Sequence, residues 1–197
     1  MDRQFGRRRL MLAGWCAIAA AILTITGLVT LLAFFGTGSA VLGALNDLNT
    51  ILMAVVTVPV ALALHPVASR TSGSLATVAL GVDLIGVLLA AGFSALLLAQ
   101  VMSFSTTLLP ITIGNGLIGV WLLMTAALVL AASVVPAPLG WLGIAGGAGL
   151  VVASMGFPLL GREHLAIAAG GVVALIGLVG FYGWAGVLLL QSRLAAG

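Results

Sequence analysis

Long, nearly uninterrupted apolar runs set the terms for anything this chain can fold into. The run from Leu75 to Met102 contains one ionisable side chain, Asp83. A helix that crosses a bilayer needs about 20 predominantly apolar residues. It must also pair its own backbone N–H and C=O groups, because lipid offers them no partner. Six runs meet this requirement: Leu10–Phe35, Asp47–Leu64, Leu75–Met102, Gly116–Val135, Leu139–Leu160 and Leu165–Leu190. The breaks between them carry turn chemistry: Gly36-Thr37-Gly38-Ser39, His65-Pro66 with Arg70 to Ser74, Ser103 to Gly114 with Pro110, Pro136-Ala137-Pro138, and Gly161-Arg162-Glu163-His164. A membrane β-barrel would instead show alternating segments of about 10 residues. Only 6% of the residues are charged and 62% are hydrophobic, whereas soluble domains are about 25% charged. The expected fold is all-α, a polytopic transmembrane bundle of six helices forming a single domain over residues 1–197.

The basic residues orient this bundle. All seven are arginines. With the N-terminus inside, Arg3, Arg7, Arg8, Arg9, Arg70 and Arg193 face the cytoplasm and only Arg162 lies outside. The positive-inside rule therefore predicts both termini in the cytoplasm. Trp15, Trp141 and Trp184 then fall near the inner interface, and Trp121 in the outer part of the fourth span. The Arg7-Arg8-Arg9 start looks like a secretion signal, but the apolar run behind it is too long for a signal h-region and reads as an uncleaved first span.

Composition excludes several function classes. A lone Cys16 makes neither an internal disulfide nor a CxxC site. Two histidines and four acids are too few for a standard metalloenzyme, so no metal site is expected. The few arginines form no basic stripe for nucleic acid. No nucleophile stands beside a base and no glycine loop is built for phosphate, so the reading is non-catalytic, and the sequence requires no cofactor.

The remaining chemistry is polar side chains inside spans. At 1.5 Å rise per residue, Asp83 lies about 12 Å from the inner end of its helix. Thr57 and Tyr182 are expected at the same level. Pro59 sits beside Thr57 and frees the carbonyl of Val55. Ala76, Ala79, Gly86 and Ala90 form a small-residue stripe with Asp83 in its middle, which predicts an apposed helix rather than lipid. An intramembrane carboxyl costs a few kcal/mol, ~3 on insertion scales, and asks for a partner, a proton or a purpose. In the plainer reading Asp83 is hydrogen-bonded to the second or sixth helix and keeps the bundle in register. In the other it is the proton-exchange site of a carrier.

A second polar set is predicted at the outer surface. Asn46, Asp47 and Asn49 open the second span, Asn115 precedes the fourth, and Arg162 lies in a loop on that side. Capping of helix N-termini accounts for the first two and Asn115. His65, at the inner end of the second span, is a candidate single axial ligand for a haem or pigment, or a plain boundary residue. For packing, Gly143-x-x-x-Gly147 and the series Gly177, Gly180, Gly183 and Gly186 predict close helix contact.

Several of these segments resemble a broad family of small bacterial six-span integral membrane proteins without an established activity. The residues that carry the resemblance are Asn46-Asp47-Leu48, Pro59 to Leu64, Gly119-Val120-Trp121-Leu122-Leu123, Leu139 to Ile144, and Tyr182-Gly183-Trp184 to Arg193-Leu194. Gly183 stands where such chains often carry proline. The resemblance implies a fold and no mechanism. The expected function is that of an accessory or scaffolding subunit of a larger membrane complex, of respiratory or photosynthetic type, packing against membrane lipid, other membrane-protein subunits or pigment. The alternative is a small proton-coupled carrier built around Asp83.

Overall fold

The computed structural model of the chain describes residues 3–160 and 164–191, with side chains from residue 7 onward. Its regular structure is helical throughout those residues: α1 (Arg3–Thr37), α2 (Ala40–Ala68), α3 (Gly73–Leu98), α4 (Phe104–Ala131), α5 (Ala137–Leu160) and α6 (Leu165–Leu190). All six are long and apolar enough to cross a membrane.

Neighbouring helices pack in chain order, α1 on α2 through to α5 on α6, and α6 then returns to α1. The six helices therefore close into a ring. Among the described residues the only other helix contact is α2 with α4. Helices α3 and α6 do not pack on each other, so a side chain reaching from one to the other must cross the ring interior. That interior is filled by Trp121, Leu122, Tyr182, Leu64, Val60 and a set of alanines, all buried.

Paired glycines hold the ring together, because lipid gives no hydrophobic drive for helix association and close backbone contact replaces it. Between α3 and α4, a Cβ on Gly86 would stand 2.8 Å from the Gly114 carbonyl, and one on Gly114 2.7 Å from the Gly86 carbonyl. Between α4 and α5, the same reciprocity joins Gly119 and Gly147 at 2.9 and 2.6 Å. Gly146 and Gly177 meet backbone to backbone between α5 and α6. Gly14 and Gly186 close the ring between α6 and α1, at 3.1 and 2.9 Å from each other's carbonyls. Of the predicted packing residues, Gly143 lies against Ala126 and Phe181, and Gly180 against the Leu142 side chain. Gly183 is a correction: nothing lies within 4 Å of a Cβ built on it. Successive glycines three residues apart drift around α6, so the series serves α5, then open space, then α1.

Two helix starts also differ from expectation. α2 begins at Ala40, not Asp47, because Gly38 takes a left-handed conformation (φ +66°). There its N–H donates to the Phe34 carbonyl at 2.7 Å, so the turn is complete two residues before Ala40. The apolar Ala40–Leu45 segment is thus the first turns of the helix, and Asn46, Asp47 and Asn49 lie inside it. α4 begins at Phe104, not Gly116, with Ser103 extended as its N-cap residue (φ −80°, ψ 158°). Pro110 falls within α4 and does not end it. α3 stops at Leu98, four residues before Met102, where Gln100 turns left-handed (φ 59°).

Candidate buried carboxyl site

Asp83 is fully buried (0% exposed), as are Thr57 and Tyr182. Helix contacts give their relative depth. His65 Nε2 lies 3.4 Å from Thr77 Oγ1, which sets the register of α2 against α3. Eight residues deeper along each, Thr57 and Ile85 are level, about 12 Å in. Asp83 is therefore within about 3 Å of Thr57 in height. On the other flank, Gly114 packs against Ala90 and Gly86. Seven residues along α4 and seven back along α3, a shift of about 10 Å, bring Trp121 level with the Ala79–Asp83 turn. Trp121 is 1% exposed, so it belongs to this buried layer and not to an outer aromatic belt. The other tryptophans, Trp15, Trp141 and Trp184, are on the outer surface.

Across the ring, Tyr182 is fixed from α6. Its neighbour Phe181 seats against Gly143, and the two aromatic rings meet edge-on at 5.5 Å and 75°. The Asp83 carboxylate acts electrostatically on the Tyr182 hydroxyl. Yet both carboxyl oxygens and the Tyr182 hydroxyl are buried without a hydrogen-bond partner. Leaving a buried polar atom unpaired costs about 1–3 kcal/mol, and such atoms concentrate at places with a purpose beyond packing.

This corrects the expected hydrogen bonding of Asp83 to the second or sixth helix. The Thr57 hydroxyl donates back to the Ala54 carbonyl at 2.7 Å within its own helix. The Val55 carbonyl, which Pro59 leaves without its helical donor, is not bonded to Asp83 either, since neither carboxyl oxygen has a partner. Along α3 the small-residue stripe is buried with Asp83, and its partner is α4 through Gly86, Ala90 and Gly114. Three turns beyond Asp83 on the same face, Ser94 is also fully buried, and its hydroxyl has no partner. Sequence reasoning passed over Ser94, although its eleven-residue spacing from Asp83 was the available signal. Towards the end of the ring that holds the start of α1 and the end of α6, apolar side chains close the interior. They leave only a small cavity of about 10 Å³ among Leu64, Ala126, Leu139, Phe181 and Ala185.

The outer polar set does not act as helix caps. Asn49 joins α2 to α1: its Nδ2 donates to the Leu23 carbonyl at 3.1 Å, and its Oδ1 accepts from Thr26 at 2.8 Å. Asn46 Oδ1 lies 3.5 Å from the Thr30 hydroxyl on the same seam. Asp47 is half-buried eight residues into α2. Asn115 is half-buried in the middle of α4, beside Gly114, and so lies nearer the Asp83 layer than the outer surface. Arg162 lies outside the described residues. His65 sits in the last turn of α2, its ring against Thr77. His164 is the N-cap of α6, its Nδ1 accepting from the Ala166 N–H at 3.2 Å. Among the described residues no group of three His, Cys, Asp or Glu side chains comes together as a metal site.

No family model, curated protein or solved structure matches this chain.

Proposed function

We propose that the protein is a small proton-linked membrane carrier whose exchange site is Asp83. One observation carries the reading: a carboxyl with no exposed surface and no hydrogen-bond partner, inside a closed ring of membrane-length helices. A carboxyl kept only for register would be bonded to a neighbouring helix. An intramembrane ionisable group facing the bundle interior is the usual mark of a proton or ion path. Gaining or losing one proton here switches a charge on or off in a low-dielectric layer, the largest electrostatic change the ring interior can undergo. The arginine asymmetry and the resemblance to small bacterial six-span proteins support a bacterial inner membrane with both termini in the cytoplasm. A C-terminal alkaline phosphatase fusion is then inactive, and an active fusion contradicts this orientation.

The carrier reading is tested in liposomes that enclose a pH-sensitive dye. The wild-type protein is expected to collapse an imposed pH gradient, and Asp83→Asn, whose amide cannot take up or release the proton, to lose at least about 90% of that rate. Equal rates for the two proteins overturn the reading.

A second reading, the accessory subunit, draws on a different feature. Beyond their Gly14–Gly186 contact, α1 and α6 diverge. An open apolar groove of about 610 Å³ lies between Ile25, Leu28 and Val29 on one side and Leu175, Ile176, Val179 and Gly180 on the other. A lipid chain or the apolar helix of another subunit fits such a surface. Stoichiometric co-purification with a larger membrane complex under mild extraction favours this role over the carrier.

A further inference from the structure

We infer that the Tyr182 hydroxyl is the proton-dependent partner of Asp83, so that loading or releasing one proton reverses a link between α3 and α6 and changes its strength. This rests on the proton-exchange reading above and adds a positioning residue and a mechanical consequence to it. The two groups are the unpaired polar atoms of one buried layer, they interact electrostatically, and they sit on helices that do not pack on each other. A phenol both donates and accepts, which suits it to either form of the carboxyl. When Asp83 carries the proton, its O–H donates to the phenol oxygen. When that proton leaves, the phenol O–H donates to the carboxylate, and the phenol keeps its own proton in both states. Bonds to a charged group are roughly twice as strong as neutral ones. The deprotonated state therefore holds α3 and α6 together across the ring more tightly than the protonated state does.

The exchanged species is a proton rather than a metal cation because the donors are too few. Hard cations take about six or more oxygen ligands. This layer offers the two oxygens of Asp83, that of Tyr182 and a Thr57 hydroxyl already bonded to Ala54. No other described carboxyl or basic group faces the site. α4 and α5 carry none, and on α2 Asp47 and His65 are about 15 and 12 Å along the helix from Thr57. On α1, which packs on α6, the titratable groups with described side chains are the half-buried Cys16 thiol and the exposed Arg7, Arg8 and Arg9.

The chain supplies its own probes. Trp121 lies in the layer, so replacing Trp15, Trp141 and Trp184 with phenylalanine leaves it as the single reporter. Tyr182 is the only tyrosine, so growth on 3-fluorotyrosine alters this one phenol without a mutation. Trp121 emission, followed across a pH titration in lipid nanodiscs, is expected to show one transition that Asp83→Asn abolishes. Tyr182→Phe, which removes a donor to the carboxylate, moves its midpoint upward by about one pH unit, tenfold in proton affinity. The more acidic fluorophenol is a better donor and moves it downward, and this arm stands even if Tyr182→Phe fails to fold. A midpoint unchanged by fluorotyrosine, or by a folded Tyr182→Phe, overturns the Tyr182 link and leaves the proton site intact. A transition that survives Asp83→Asn, or its absence from the parent, overturns the proton-exchange reading as well.

Discussion

At Gly146 and Gly183, two glycines in adjacent helices, the same substitution has opposite consequences. A methyl group on Gly146 would stand 2.8 Å from the backbone of Gly177 and Leu178, whereas one on Gly183 meets nothing within 4 Å. Backbone cannot step aside as the tip of a flexible side chain can, so Gly146→Ala is expected to destabilise the bundle by about 1–3 kcal/mol, the range for overpacking a close contact. Gly183→Ala is expected to be neutral or to gain up to ~1 kcal/mol from helix propensity. Unfolding in a graded detergent series checks both, and equal losses at the two positions contradict the packing described here. The sequence points to the α6 series, Gly183 included, and passes over Gly146, because a three-residue spacing rotates slowly around the helix and the neighbour on each side decides which glycine is used. Asp83 was legible for the opposite reason. A carboxyl in an apolar run stands out whatever its neighbours do. Its lack of a partner was not legible, since Thr57 and Tyr182 both had the right depth and only the fold shows where their hydroxyls go.

The helices themselves were legible where apolar length decided the matter and illegible where polar residues were read as boundaries. α5 and α6 fall close to the expected Leu139–Leu160 and Leu165–Leu190. α2 and α4 start seven and twelve residues earlier than expected, at Ala40 and Phe104. In both cases asparagine or aspartate, which favours helix N-termini in water, reads as a cap. Inside a membrane the same side chains serve a second use, bonding across to a neighbouring helix. Asn49 does this with Leu23 and Thr26 of α1. Pro110 also reads as a break, but it is the seventh residue of α4, where its missing N–H leaves the Thr106 carbonyl without its helical donor and does not end the helix. These shifts change the map of the site. They move Asn115 from the expected outer mouth to the neighbourhood of the Asp83 layer, and they leave Asn46 and Asn49 on the α1–α2 seam.

For the molecule as a whole, helix number and membrane character follow from composition and run length, but closure of the ring does not. No local pattern states that α6 returns to α1 while α3 and α6 stay apart. That arrangement changes the meaning of Asp83 from a residue bonded at a helix interface to one facing a shared interior with Tyr182 opposite. It also turns the weight of the functional argument. Short loops and smooth apolar faces favour an accessory subunit when only the sequence is considered, whereas a buried, unpartnered carboxyl favours proton exchange. The central claim is that this carboxyl gains and loses a proton inside the ring, and pH-difference infrared spectroscopy of the protein in lipid tests it most directly. The chain has four acidic side chains, few enough for the protonated-carboxyl C=O band to be assigned by mutation. The account expects such a band, from a carboxyl in an apolar setting, to appear on acidification in the wild-type protein and to vanish in Asp83→Asn. A difference spectrum that Asp83→Asn leaves unchanged would contradict it.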